Sequence, residues 1–86
     1  MQFLEGEPDV EYPCRWEYRL IGAQRGPMVQ AASEIASIWE YTVRDSNRSK
    51  TGKYVSVILE VQVPDEGARR LIFKMLSDHD DIIMVL

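Results

Sequence analysis

Eighty-six residues, 45% hydrophobic and 28% charged, make one domain with a single core. One cysteine excludes a disulfide framework and any multi-cysteine metal site, and no apolar run approaches the ~20 residues of a membrane helix. The formal net charge of −4 argues against general nucleic-acid binding, whose affinity comes largely from neutralised phosphates.

Residues 1–13 read as a flexible acidic lead. Glu5, Glu7, Asp9 and Glu11 carry no compensating base, and Pro8 and Pro13 interrupt any periodicity. The first eight residues lack the basic region and apolar core of a signal peptide. With a lone thiol, this makes the cytoplasm the expected compartment. Residues 14–86 are then the single domain.

The first strand is expected over Arg15–Gly22, where Trp16, Tyr18 and Leu20 alternate with Arg15, Glu17 and Arg19. The large side chains belong to the core, because their spacing matches the strand period. Gly22–Pro27 turns into a helix running to about Trp39. Met28, Ala32, Ile35 and Trp39 form its buried stripe, flanked by Ala31 and Ile38. Pro27 suits the first helical position.

Glu40–Ser46 is expected as the second strand, with Tyr41 and Val43 inward. The polar loop Asp45–Gly52 has the composition of a hairpin connection longer than two residues. Next, Tyr54–Val63 carries the strongest period-two signal in the chain. Val55, Val57, Leu59, Val61 and Val63 share one face, and Tyr54, Ser56, Ile58, Glu60 and Gln62 share the other. A strand so apolar on one side belongs mid-sheet, since a bare edge of that kind invites aggregation.

Pro64 ends this strand and Asp65 is placed to cap a second helix. Ala68, Leu71, Ile72, Met75 and Leu76 form the expected stripe of that helix. Ser77–Asp81 closes it, and Ile82–Leu86 makes the last strand. The order β-α-β-β-α-β, with one apolar stripe per helix, predicts an α+β split βαβ plait. Short connections and right-handed crossovers give a four-stranded antiparallel sheet ordered 4-1-3-2, with both helices on one face. The open face is expected to show Arg15, Glu17, Arg19, Ile21, Tyr54, Ser56, Ile58, Glu60, Thr42, Arg44, Ile83 and Val85.

Three stretches carry a resemblance. They are Tyr12-Pro13-Cys14 leading into Trp16-Glu-Tyr18-Arg-Leu-Ile-Gly22, then Ser49-Lys-Thr-Gly-Lys-Tyr54, and the final Met84-Val85-Leu86. From Tyr12 to Leu86 the chain resembles the small bacterial YbeD-like family of unknown function. The resemblance implies a ferredoxin-like plait similar to the ACT regulatory domains that bind amino acids. It implies no activity and no catalytic residue.

The polar constellations are few. Arg44, Arg48, Lys50 and Lys53, with loop hydroxyls, are candidates to hold a small anion. Arg25 can assist at the N-terminus of the first helix, the end at which ACT domains receive effectors. The plainer reading of both is a solvated hairpin and an ordinary turn. Cys14 and His79 offer a nucleophile and a base without an oxyanion motif, so Cys14 reads as structural. Asp78-His79-Asp80-Asp81 reads as a helix end, without a second cluster for a metal. Asn47-Arg48-Ser49 matches the glycosylation pattern, which a cytoplasmic chain does not use.

The RNA-recognition plait stacks bases on strand aromatics, and the outward set here offers only Tyr54. The expected function is therefore a small regulatory or protein-interaction domain, with no enzyme activity and no cofactor. Its contact face is expected at Arg19, Ile21, Tyr54, Ile58 and Ile83. The expected partner is a second copy or another protein. A sensor of a small anionic metabolite or amino acid is the alternative, with no membrane and no nucleic acid involved.

Overall fold

A computed structural model describes residues 10–46 and 53–86. The elements are β1 (Cys14–Gly22), α1 (Arg25–Ile35), β2 (Tyr41–Asp45), β3 (Val55–Val63), α2 (Glu66–Ser77) and β4 (Met84–Val85). The strands form one sheet in the order β2-β3-β1-β4, every neighbour antiparallel. This is the 4-1-3-2 plait, with α1 and α2 packed on one side. The valine-rich β3 lies between β1 and β2.

Register follows from burial. Val57, Leu59, Val61 and Val63 are fully buried, opposite Leu20, Tyr18, Trp16 and Cys14 of β1. A slip of one residue would turn all of them to the uncovered side. At about 1.5–3 kcal/mol per buried aliphatic side chain, that slip forfeits on the order of 10 kcal/mol. Tyr18 and Leu20 are fully buried and Trp16 is half-buried against the same cluster.

α1 brings Met28, Ala31 and Ala32 into the core, the alanines allowing close approach to the sheet. It is shorter than its apolar spacing suggested. It stops at Ile35, and the chain turns through Ala36–Trp39, with Trp39 N donating to Ala36 O at 2.9 Å. That turn is needed to reverse the chain into β2. It leaves Trp39 half-buried and Ile38 79% exposed, off the stripe assigned to them. Pro27 is the third helical residue, still in the first turn, where an N–H has no intrahelical acceptor.

α2 begins as its cap requires: Ala68 N donates to Asp65 Oδ1 at 2.8 Å. Its buried line is Ile72 and Leu76, and Leu71 and Met75 stand 50% and 41% exposed. At ~100° per residue, Leu71 lies a quarter-turn from Ile72, so one sheet face cannot bury both.

β4 starts later than expected. Ile82 turns into the core at 4% exposure, and regular pairing is limited to Leu20↔Val85 and Ile21↔Met84. Backbone bonds from Ile83 N to Ile21 O (2.7 Å) and between Arg19 and Leu86 (2.9 and 3.1 Å) extend the contact. Gly22 marks the close approach at this end. A Cβ there would lie 2.6 Å from Asp81 O and 2.7 Å from Met28 Sδ.

Candidate functional site

Because both helices lie on one face, the other face of the sheet is uncovered. Strand register arranges it in rows. Met84, Ile21 and Ser56 form one row; Leu86, Arg19, Ile58 and Arg44 the next; Glu17, Glu60 and Thr42 a third; Arg15 and Gln62 a fourth. The face divides into a charged half and an apolar corner.

In the charged half, Arg44 Nη2 bonds Glu17 Oε2 at 2.8 Å, and its Nη1 lies 3.7 Å from Glu60 Oε1. Arg15 Nε reaches Glu60 Oε2 at 3.6 Å. The hydrogen bond that Arg44 donates to Glu17 raises the Arg44 pKa above its ordinary value. These charges satisfy one another.

In the apolar corner, Met84 and Leu86 are 50% and 64% exposed, with Ile21 and Ile58 beside them. Arg19 stands in this corner and makes no ion pair among the described residues. Its Nε and the hydroxyl of Ser56 are both buried and without a hydrogen-bond partner. A shallow recess of ≈ 210 Å³ lies among Glu17, Arg19, Ile58 and Leu86.

Placement of the residues singled out from sequence is mixed. Arg19, Ile21 and Ile58 are on the open face, though Ile58 is only 8% exposed because Arg19 and Arg44 flank it. Tyr54 precedes β3 at 43% exposure. Ile83 and Val85 are not on this face. Val85 pairs with Leu20 and packs against the core, and Ile83 lines a cleft with Ala23, Gln24 and Pro27. Met84 and Leu86 take their place.

Two of the anion candidates are already paired. Arg44 belongs to the sheet lattice, and Arg25 Nε bonds Asp45 Oδ1 at 2.6 Å. Lys53 is exposed at the entry to β3; Arg48 and Lys50, with the Asn47 pattern, lie outside the described residues. The cleft of ≈ 290 Å³ at the first turn of α1 is also lined by Asp80 and Asp81, a negative wall that disfavours an anion.

Cys14 opens β1 and is half-buried against the core; His79 follows α2 at the opposite end of the sheet. Asp81 N donates to His79 Nδ1 at 3.1 Å. Sequence left the separation of Cys14 and His79 open; the fold keeps them apart. Among the described residues, no three histidine, cysteine or acidic side chains cluster closely enough to hold a metal ion.

The model of a family of proteins of unknown function, DUF493, matches residues 7–86. The chain belongs to the DUF493 family. An uncharacterised Campylobacter jejuni protein, Cj0253, is 36% identical over 74 residues, covering 86% of this chain and 85% of that one. A Hahella chejuensis UPF0250 protein is 28% identical over 83 residues, covering 92% and 91%. The solution structure of Helicobacter pylori HP0495 superimposes with a TM-score of 0.77 at 26% identity, covering 93% of this chain and 88% of that chain. All three are uncharacterised or carry no activity in their names, and none of the described helices of this DUF493 chain is long and apolar enough to cross a membrane.

The DUF493 chain has one cluster that its sequence did not announce. Arg69 of α2 stacks over the Trp16 ring, 4.4 Å from its centroid, and its Nε donates to Tyr12 Oη at 2.9 Å. Tyr18 Oη donates to Arg69 O at 2.9 Å, and burial pushes the Tyr18 pKa up to about 12. Tyr12, ahead of β1, is thereby tied to α2. By its charge alone Arg69 belongs off the apolar stripe expected for this helix. Its aliphatic stem and planar head instead cover the aromatic end of β1.

Proposed function

We propose that this DUF493 chain is a non-catalytic interaction domain, cytoplasmic, that contacts a protein partner through its uncovered sheet face. One observation carries the reading. A sheet screened on one side leaves Met84 and Leu86 at 50% and 64% exposure beside Ile21 and Ile58. A contiguous apolar corner rimmed by ordered charges has the make-up of a contact surface: apolar centre, polar rim. The chain's one thiol and one imidazole, Cys14 and His79, do not meet on it, because they lie at opposite ends of the fold.

A regulatory role of the ACT kind is the second reading. It is favoured by the plait and by the Arg25–Asp45 bond, which ties the first turn of α1 to the end of β2. It is weakened by the carboxylates of Asp80 and Asp81 in the adjoining cleft. RNA binding is weaker still, since base stacking needs aromatic platforms that the described face lacks beyond Tyr54.

The test compares the native chain with Met84→Lys and Leu86→Lys, both at exposed positions. Affinity capture from native lysate, followed by crosslink mapping, should recover a partner on the native face and lose it with either variant. Equal capture by the variants, or crosslinks confined to the helices, rejects the reading. Light scattering after size exclusion decides whether that partner is a second copy.

A further inference from the structure

We infer that Arg19 and Ser56 form the anchor point of this face, and that the partner inserts an acidic side chain there, flanked by aliphatic residues. The inference rests on the interaction reading above and names the chemistry of the partner.

The argument begins with unpaired donors. Arg19 Nε and Ser56 Oγ are buried, and neither has an acceptor. Buried donors are normally satisfied, and a buried donor without an acceptor is destabilising until something supplies one. Both belong to the uncovered face and sit in adjacent rows of the β1–β3 ladder, Arg19 opposite Ile58 and Ser56 opposite Ile21. Diagonal neighbours of this kind are about 7–8 Å apart at Cα. A carboxylate has two oxygens, so it can accept from both donors of such a pair.

The rest of the face cannot fill this role. Glu17 borders the same recess, but its carboxylate is held by Arg44 at 2.8 Å. Glu60 lies between Arg15 and Arg44. Arg19 is therefore the cation of the strands' outer face that the lattice leaves over. Around it stand Ile21, Ile58, Met84 and Leu86, so the carboxylate would arrive among aliphatic groups that exclude water and strengthen the contact.

Size decides between a metabolite and a protein. The recess is ≈ 210 Å³, open and lined by four residues. Small-molecule sites enclose about 300–1,000 Å³ and bury most of their ligand. A single glutamate or aspartate side chain matches this size at Arg19, with Ser56 one row away, and the exposed Met84 and Leu86 provide the apolar surround of a protein contact. Charge also argues against a second copy of the chain. Two-fold pairing through this corner would bring Arg19 against its own equivalent.

The probe is the peptide N-acetyl-Leu-Glu-Leu-amide, titrated into the ¹⁵N-labelled chain beside its Leu-Gln-Leu counterpart. The glutamate peptide should shift the Arg19 Nε–H and the amides of Ser56, Ile58 and Leu86. The glutamine peptide should bind at least about tenfold more weakly, the scale of a lost charge-assisted hydrogen bond. Arg19→Gln should weaken the glutamate peptide to the same degree, and Ser56→Ala by less, with unrelated amides unmoved as the folding control. Equal binding of the two peptides, shifts centred elsewhere, or no shifts overturns the anchor. Should Arg19→Gln capture the lysate partner as well as the native chain while Met84→Lys does not, the anchor is wrong and the face reading stands. Should both variants capture it unchanged, the face reading itself fails.

Discussion

Replacing Gly22 by alanine tests how β4 is held beside β1, and therefore how the apolar corner is assembled. The added Cβ would sit 2.6 Å from the backbone oxygen of Asp81 and 2.7 Å from Met28 Sδ, where ordinary contact begins near 3.4 Å. The methionine tip can swing away. The Asp81 carbonyl cannot move without the chain that leads into β4. Overpacking of this kind costs about 1–3 kcal/mol. Loss of glycine's freedom in the unfolded chain returns about 0.4–1 kcal/mol. A net loss of about 1–2 kcal/mol is large against the total of about 4–13 kcal/mol expected for 86 residues. At about 4–8 °C per kcal/mol for a domain of this size, the midpoint should fall by about 5–15 °C. Scanning calorimetry measures it, and amide exchange at Arg19 and Leu86 reports whether their paired hydrogen bonds loosen first. The double variant with Met28→Ala should recover none of the Asp81 contribution. A Gly22→Ala chain melting within about 2 °C of the native protein would refute the close approach and its consequence for the face.

Tyr18→Phe removes the phenol bonded to Arg69 O and should cost about 0.5–1.5 kcal/mol in urea titration. The same phenol sets an alkaline limit. Its pKa is about 12 folded and near 10 unfolded, so above pH 10 the unfolded chain loses a proton that the folded chain retains. The native chain should lose stability between pH 10 and 12 more steeply than Tyr18→Phe; parallel curves would contradict the assignment. Asp65→Ala should cost about 1 kcal/mol by removing the cap on Ala68 N, measured by thermal melting. Arg44→Gln should lower the urea midpoint only slightly, since the pairs it breaks are solvent-exposed, and the loss should shrink at 1 M salt.

Element order, the central position of β3 and the two-helix face were all legible in the chain. Val55–Val63 shows an unbroken alternation, and Asp65 a capping carboxylate in the right place. These are local patterns, each enforced by one period and one face of burial. The last strand could not be read in this way. Ile82, Ile83, Met84, Val85 and Leu86 are apolar at every position, so no alternation chooses which of them face the helices. Register decides instead. The Arg19–Leu86 hydrogen bonds turn Met84 and Leu86 outward and Val85 inward.

The same distinction governs the charges. Sequence shows which residues are ionisable, but pairing across strands depends on distances that only the folded sheet sets. It places Glu17 and Glu60 against Arg44 and leaves Arg19 unpaired beside Ser56. It likewise lays Arg69 over Trp16, residues 53 positions apart in the chain. Local periodicity dictated the plait, because hydrophobic burial acts on each element separately. The contact face came from long-range register, because electrostatic and hydrogen-bond partners are matched only once the strands lie side by side.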